Sequence, residues 1–355
     1  MSVARVSSIL FEAETRCSLS CVFCYNCWNA VPGYPRGKLS TRRTIAMLRK
    51  AVKESGAAQV AVTGGEPLLR EDLPDIVAAL TLGGTVVSLL TNGTLMTKEW
   101  ASDLLRTGVR LFQLTLLGMD GKLHDAHCGE GSFAAVMRSL DILRSAGASV
   151  TFTVVVTRRT VDELPAIMTF LKKEGVSSFL LNRYNPGGRA LREGEAASLL
   201  LTRQDTERML AHAEEGARSL GLAPSASVPI PPCVADRSRY PHVAFAGCAA
   251  ATDLAYFTLD PLGNIRACNH SPVILGNILA TPFSEIANGG GARAWISTRP
   301  AHCVPCPGWE LCKGGCRAVC QQMGRGLDSL DPYVAFALGH GDLRELLTPG
   351  ASRSA

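Results

Sequence analysis

Residues 8–24 read SILFEAETRCSLSCVFC, and residues 59–67 read QVAVTGGEP. Each is a short apolar run that ends in residues able to do chemistry. Ser8–Glu14 has the length and apolar content of a buried strand. The loop after it carries Cys17, Cys21 and Cys24 as C-x3-C-x2-C. Gln59–Thr63 is a second strand, followed at once by Gly64-Gly65-Glu66-Pro67. A helix signal over Thr41–Glu54 joins the two. This is a βα unit of parallel sheet, and in such sheets ligands sit at the carboxyl ends of the strands.

The alternation continues outward. Strands are expected at Val86–Thr91, Leu111–Leu116, Val150–Thr157 and Ser178–Asn182, and helices at Leu73–Leu80, Lys98–Arg106, Phe133–Ser145 and Val161–Lys173. Gly56, Gly108, Gly147 and Gly175 stand where helix C-caps favour glycine. Six βα repeats with right-handed crossovers predict an α/β fold, a partial (β/α)6 barrel over residues 1–222 that includes a last helix at Thr202–Leu220. A Pro-rich linker, 223–232, leads into a Cys-rich domain, 233–325, and then a C-terminal helix and tail, 326–355, with Thr348–Ala355 frayed.

Composition limits the function. The 355 residues are 46% apolar and 19% charged, with a net charge of +5 and no basic run, so neither nucleic acid nor membrane is an expected partner. The N-terminus lacks signal-peptide features and no apolar stretch is long enough to span a bilayer, which makes a cytoplasmic protein the expectation. The 13 cysteines are the anomaly. An odd count in a long chain without a signal peptide favours metal ligation over disulfides. They fall into groups: Cys17, Cys21, Cys24 and Cys27; Cys233, Cys248 and Cys268; Cys303, Cys306, Cys312, Cys316 and Cys320; Cys128 stands apart.

Three thiolates on one loop can each take an iron of a cubane cluster and leave one iron open. A structural zinc knot prefers paired C-x2-C hooks and has no need of a glycine-rich acidic turn. The triplet, Tyr25 after it, and Gly64–Pro67 resemble the radical SAM superfamily. The resemblance implies a [4Fe-4S] cluster whose open iron is chelated by S-adenosylmethionine (SAM), with Gly64, Gly65, Glu66 and Pro67 at the SAM amino group. By position at strand ends, Asn92 of Thr91-Asn92-Gly93, Gln113 or Thr115, and Asn182 or Arg183 are further SAM contacts.

The second array also has a match. Cys248 and Cys268 read C-x14-G-x4-C through Gly263, and Cys303, Cys306, Cys312 and Cys316 read C-x2-C-x5-C-x3-C. This resembles the SPASM extension of radical SAM enzymes, which carries two auxiliary [4Fe-4S] clusters. The resemblance implies Cys248, Cys268 and Cys316 for the first, with Cys233 a candidate to complete it, and Cys303, Cys306, Cys312 and Cys320 for the second. The family's last cysteine usually lies further along the chain than Cys320 does. The bland alternative is a zinc ribbon.

The implied activity is reductive cleavage of SAM and hydrogen abstraction from a natural-product substrate, with auxiliary clusters to take a second electron. That favours a net two-electron oxidation by an oxygen-sensitive oxidoreductase: peptide crosslinking or maturation, or carbinol dehydrogenation of a sugar or aminocyclitol in antibiotic biosynthesis. Two alternatives are a radical epimerase with a free cysteine as hydrogen donor and a non-catalytic electron-transfer protein. Cys128 is the candidate donor, and Asp120, Asp125 and Glu130 are candidate bases. The segment Asn182–Arg189 is a candidate substrate contact. A flavodoxin- or ferredoxin-type reductant is the expected electron source. The first strand starts near Ser8, so a leader-binding protein, if used, is expected as a separate chain.

Overall fold

The computed structural model describes residues 6–29, 31–252 and 256–348. Six strands alternate with helices as the sequence predicts: β1 (Ser8–Glu14), β2 (Gln59–Gly64), β3 (Val86–Leu90), β4 (Val109–Leu116), β5 (Val150–Val156) and β6 (Ser178–Arg183). Five more follow: β7 (Ala223–Ala226), β8 (Ala244–Phe245), β9 (Tyr256–Leu259), β10 (Asn264–Arg266) and β11 (Ile274–Asn277). All join one open sheet of order β11-β10-β9-β1-β2-β3-β4-β5-β6-β7-β8. From β1 to β8 every pairing is parallel, whereas β9–β10 and β10–β11 are antiparallel. The fold is α/β, a mostly parallel open sheet with helices, continued by a Cys-rich segment.

The strands have two unlike faces. Phe112, Leu114 and Leu116 of β4, with Phe152 and Val154 of β5, point to one side and are wholly buried. That side is covered by α1 (Thr41–Ser55), α2 (Leu73–Thr81), α3 (Lys98–Thr107), α4 (Gly121–Cys128), α5 (Ser132–Ser145), α6 (Leu164–Lys173), α7 (Gly188–Glu193), α8 (Ala196–Leu199) and α9 (Arg203–Leu220), chiefly by the longer ones. Their inward residues, among them Met47, Ile76, Leu104, Leu140, Ile167 and Met209, complete the core, each worth about 1.5–3 kcal/mol. The alternate residues, including Ser88, Gln113, Thr115, Thr153 and Asn182, are only half-buried. The inner face is therefore concave-side, polar and accessible.

Local chemistry sets the element ends. Thr202 and Asp205 form a reciprocal capping box at α9, which ends in left-handed Gly221. Two features depart from expectation. The stretch expected as a Pro-rich linker contains β7, held by pairing of Ala223, Pro224 and Ser225 with β6. The polar stretch around His124 is a helix, α4, that the sequence did not announce. The C-terminal tail expected to fray lies, from residue 349, outside the described residues.

The Cys-rich segment is tied to the barrel by strands and by buried charge. β9 adds to the free edge of β1 in parallel register, Ile9 opposite Phe257. Glu12 of β1 pairs with Arg266 of β10, both buried. Arg183 at the end of β6 pairs with Asp331 at 2.8 Å, both side chains fully buried. No helix among the described residues is long and apolar enough to cross a membrane.

Candidate active site

The loop 15–29 leaves the carboxyl end of β1 and is pinned from several sides. Val22 N–H donates to His127 O, and Arg189 N–H to Cys24 O at 3.1 Å. Asn26 Nδ2 donates to Gly64 O at 3.0 Å, which joins the cysteine loop to the glycine turn. A cavity of about 760 Å³ opens over the loop and is lined by Cys17, Cys21 and Cys24. This is a size that holds a cofactor-sized ligand. Arg16, Arg36, Lys38 and Arg189 add positive charge to its wall, with Glu14 the carboxylate among them.

The sulfurs in this loop meet N–H donors. Cys17 Sγ accepts from Leu19 N at 3.5 Å and from Asn92 Nδ2 at 3.6 Å. Cys24 Sγ accepts from Asn29 Nδ2 at 3.6 Å. Burial pushes the Cys24 thiol up to about 11, and the neighbouring Cys21 adds to the shift. Iron bound to such thiols deprotonates them, and donors to sulfur then stabilise the cluster charge.

Gly64 and Gly65 are required by close approach to the loop itself. A Cβ on Gly65 would stand 2.1 Å from Arg16 O, and one on Gly64, whose φ is +138°, 2.3 Å from Glu14 O. Gly65 N–H donates to Glu14 O at 2.7 Å and Glu66 N–H to Arg16 O at 2.9 Å. The carboxylate of Glu66 is wholly buried. It accepts from Thr91 Oγ1 at 2.7 Å, Asn92 N at 2.9 Å and Leu68 N at 3.0 Å. Burial pushes its carboxyl up to about 7, against the pull of those donors. Glu66 thus fastens the end of β2 to the turn after β3, and that turn carries Asn92 to Cys17. Its oxygens are turned to these partners rather than to the cavity. Pro67 opens the short helical turn that follows.

The other expected residues are distributed unevenly. Gln113 Nε2 donates to Thr153 Oγ1 at 2.6 Å, and Thr115, facing the same side of β4, is half-buried. Asn182 Oδ1 accepts from Ser227 Oγ at 2.7 Å. Asp120 is the N-cap of α4, and Asp125 accepts from Gly131 N, Ser132 Oγ and Phe133 N. These two candidate bases therefore bond to local backbone, and none of Asp120, Asp125 and Glu130 lines the cavity. Cys128 is buried beneath the loop. Its carbonyl faces Cys21 Sγ at 3.8 Å, and its own sulfur lies 3.9 Å from His124 Nε2. Cys27 is buried beside the Glu12–Arg266 pair and accepts from Arg266 Nη1 at 3.2 Å. Of the segment Asn182–Arg189, only Arg189 reaches the cavity.

The remaining cysteines gather in two neighbourhoods. The Cys268 thiol is driven up by burial and then by Cys316 and Cys248. Asn185 Nδ2 donates to Cys316 Sγ at 3.0 Å and stands 2.9 Å from His270 Nδ1. The Cys303 thiol is pushed up to about 11 by burial and then by Cys312, Cys306 and Cys233. Burial raises the Cys320 thiol, and Asp331 and Cys316 add to the shift. Arg317 Nε and Arg237 Nη2 are among the buried donors that find no acceptor among the described residues. Cys248, Cys320, Cys303 and Cys316 act on Arg317, and Cys312 and Cys233 on Arg237, against the lowering by burial. Cluster sulfurs accept such hydrogen bonds, so the orphaned donors fit iron–sulfur groups at both places. Among the described residues no three His, Cys, Asp or Glu side chains are set for a single metal ion.

Several participants were not singled out by sequence: Asn26, Asn29, His270 and the two arginines; Asn185 lies in the segment expected to contact substrate and bonds to Cys316 instead. Asn26 and Asn29 follow Cys24 on the same loop, and that adjacency was the available signal. The others arrive from distant parts of the chain.

Residues 14–171 match the profile of the radical SAM superfamily. The chain is 26% identical over 348 residues to the PqqA peptide cyclase of Xanthomonas campestris pv. campestris, covering 95% of this chain and 89% of that protein. It is 25% identical over 345 residues to the AdoMet-dependent heme synthase of Nitratidesulfovibrio vulgaris, covering 92% of each. Its fold is similar to that of Streptococcus suis SuiB bound to the precursor peptide SuiA, with a TM-score of 0.73, 16% identity, and 94% of this chain and 76% of that one covered. The cysteine loop at the end of β1 and the glycine turn at the end of β2 both lie within residues 14–171, the stretch that matches the radical SAM superfamily.

Proposed function

We propose that this enzyme is a SPASM-type radical SAM maturase that oxidises a peptide by removal of two hydrogens. The observation that carries the peptide reading is its end-to-end similarity to a peptide cyclase, over 95% of its length. Cys17, Cys21 and Cys24 would hold a [4Fe-4S] cluster, and Gly64–Pro67 with Asn92 would hold SAM. Bound there, the two would supply reductive cleavage of SAM and abstraction of a hydrogen atom from a substrate.

The chain's own residues orient and shield that chemistry. Asn92 and the Leu19 amide hold the Cys17 sulfur. Gly64 O and the backbone around it offer acceptors for an ammonium group, while Glu66 keeps the turn rigid from behind. Arg16, Arg36, Lys38 and Arg189 complement carboxylate and other anionic groups at the cavity wall. The half-buried Gln113, Thr115, Thr153 and Asn182 give the inner face side chains that hydrogen-bond peptide amides. The Cys-rich segment would hold auxiliary clusters able to accept the second electron, with a flavodoxin- or ferredoxin-type protein as the source of the first. A separate leader-binding chain would present the peptide.

The test is anaerobic incubation of the reconstituted enzyme with SAM, dithionite and the synthetic product of a short reading frame beside its gene. A peptide lighter by two hydrogens, formed with 5′-deoxyadenosine, supports the proposal. An unchanged peptide alongside oxidation of an aminocyclitol or sugar carbinol overturns the peptide reading and favours carbinol dehydrogenation. Deuterium gain from solvent at an unchanged oxidation level favours epimerisation.

A further inference from the structure

The resemblance gives Cys320 to the second auxiliary cluster and leaves Cys233 to the first. The packing of the two residues is the reverse of that. Cys320 is wholly buried in the helix Arg317–Gln322. Its thiol donates to Leu330 O at 3.4 Å and Ser329 O at 3.6 Å. Burial raises this thiol, and Asp331 and then Cys316 add to the shift. A thiol that is buried and already donating to backbone carbonyls behaves as a small core side chain.

Cys233 sits elsewhere. It follows β7 at the end of Pro231-Pro232, and its carbonyl accepts from Arg203 Nη2 at 2.6 Å. At Gly308 an added Cβ would lie 3.6 Å from Cys306 Sγ and 3.7 Å from Pro232 Cγ. The segment bearing Cys233 is thus packed on the turn that carries Cys306. Burial raises the Cys233 thiol and Cys312 and Cys306 add to the shift, and Cys233 is in turn among the groups that raise Cys303. Arg237, four residues on, has a buried and unpartnered Nη2, and Cys312 and Cys233 are the groups that act on its guanidinium. That donor is placed for a sulfur acceptor which the protein alone does not provide.

We propose that Cys233, Cys303, Cys306 and Cys312 form the four-thiolate site of one auxiliary cluster, and that Cys320 is a core thiol outside it. Four thiolates complete a cubane. The ligand from upstream takes the place of the family's distant downstream cysteine, after whose expected position this sequence has none. The inference rests on the reading that the Cys-rich segment holds clusters.

The test compares the parent with Cys233→Ala, Cys233→Ser and Cys320→Ala, all reconstituted anaerobically and assayed for iron, acid-labile sulfide and electron paramagnetic resonance after reduction. Far-UV circular dichroism of the apo-proteins checks folding. The expected result is about twelve irons per chain in the parent and in Cys320→Ala, and a loss of one to four irons with a changed resonance signal in both Cys233 variants. Loss with Cys320→Ala and none with the Cys233 variants overturns the assignment, as does loss in all or in none. A parent that binds only about four irons, released by changing the Cys17 triplet, overturns the cluster reading of the whole segment and this assignment with it.

Discussion

The ring of Tyr25 lies flat on the imidazole of His270, with centroids 3.9 Å apart and planes 9° from parallel. Tyr25 follows Cys24, and His270 follows Cys268 by two residues, so the stack joins the loop of the first cysteine triplet to the Cys-rich segment. Asn269 Nδ2 donates to the Tyr25 hydroxyl at 2.6 Å, and Gln322 Nε2 donates to both Tyr25 O and His270 O. Burial lowers His270 to about 3, so the imidazole is neutral at any working pH.

Tyr25→Phe keeps the stack and loses the hydroxyl, and is expected to cost about 1 kcal/mol in unfolding of the apo-protein. Tyr25→Leu loses both and is expected to cost about 2–3 kcal/mol. Denaturant unfolding gives the order. Equal costs would mean that the stack contributes nothing.

Arg266 is buried with Glu12 and also donates to Ser271 O at 2.7 Å and Asn269 O at 3.1 Å. Arg266→Met leaves a buried carboxylate alone and is expected to destabilise by about 3–5 kcal/mol. Adding Glu12→Leu should cost far less than Glu12→Leu does in the parent. The double-mutant cycle in urea measures the difference, and additivity would contradict the pairing.

The glycine turn provides a contrast of sites. Gly65→Ala drives a Cβ into Arg16 O, 2.1 Å away, whereas the space around Gly84 is open. Gly65→Ala should lower stability by roughly 3 kcal/mol or more and reduce iron retained on the triplet, because the loop must move. Gly84→Ala, with φ +83°, should cost only about 1 kcal/mol from its backbone conformation. Similar effects at both would show that the approach to Arg16 is relaxed.

Most of the barrel was legible because its strands are continuous apolar runs and its helices carry one apolar stripe. The site loop was legible because Cys17, Cys21, Cys24 and Gly64–Pro67 are local patterns at strand ends. What sequence did not disclose depends on distant contacts. β7 reads Ala-Pro-Ser-Ala and is a strand only because β6 pairs with it. α4 buries His124, His127 and Cys128 in place of an aliphatic stripe. Asp120 and Asp125 read as candidate bases; in the fold Asp120 caps α4, and Asp125, inside α4, accepts from the start of α5. Cys233 and Cys320 could be placed only by packing.

Glu66 makes a pH prediction. Its folded carboxyl is raised from 4.5 to about 7 by burial. The folded protein therefore binds this proton more tightly than the unfolded chain. The stabilisation is complete below the unfolded value and is lost as pH rises through the folded one. The apo-protein should lose roughly 2–4 kcal/mol between about pH 4.5 and pH 7 relative to Glu66→Gln, which lacks the titration. Parallel stability–pH curves for parent and variant would contradict the shift.

The central claim is that the loop Cys17–Cys24, with the turn at Gly64–Pro67, cleaves SAM. The most direct measurement is 5′-deoxyadenosine formed from SAM and dithionite by the reconstituted enzyme, beside the Cys17, Cys21, Cys24→Ala triple variant. The account predicts 5′-deoxyadenosine from the parent and none above background from the variant, which should keep about eight of about twelve irons. Equal yields from both, or none from a parent that carries its full iron, would contradict it.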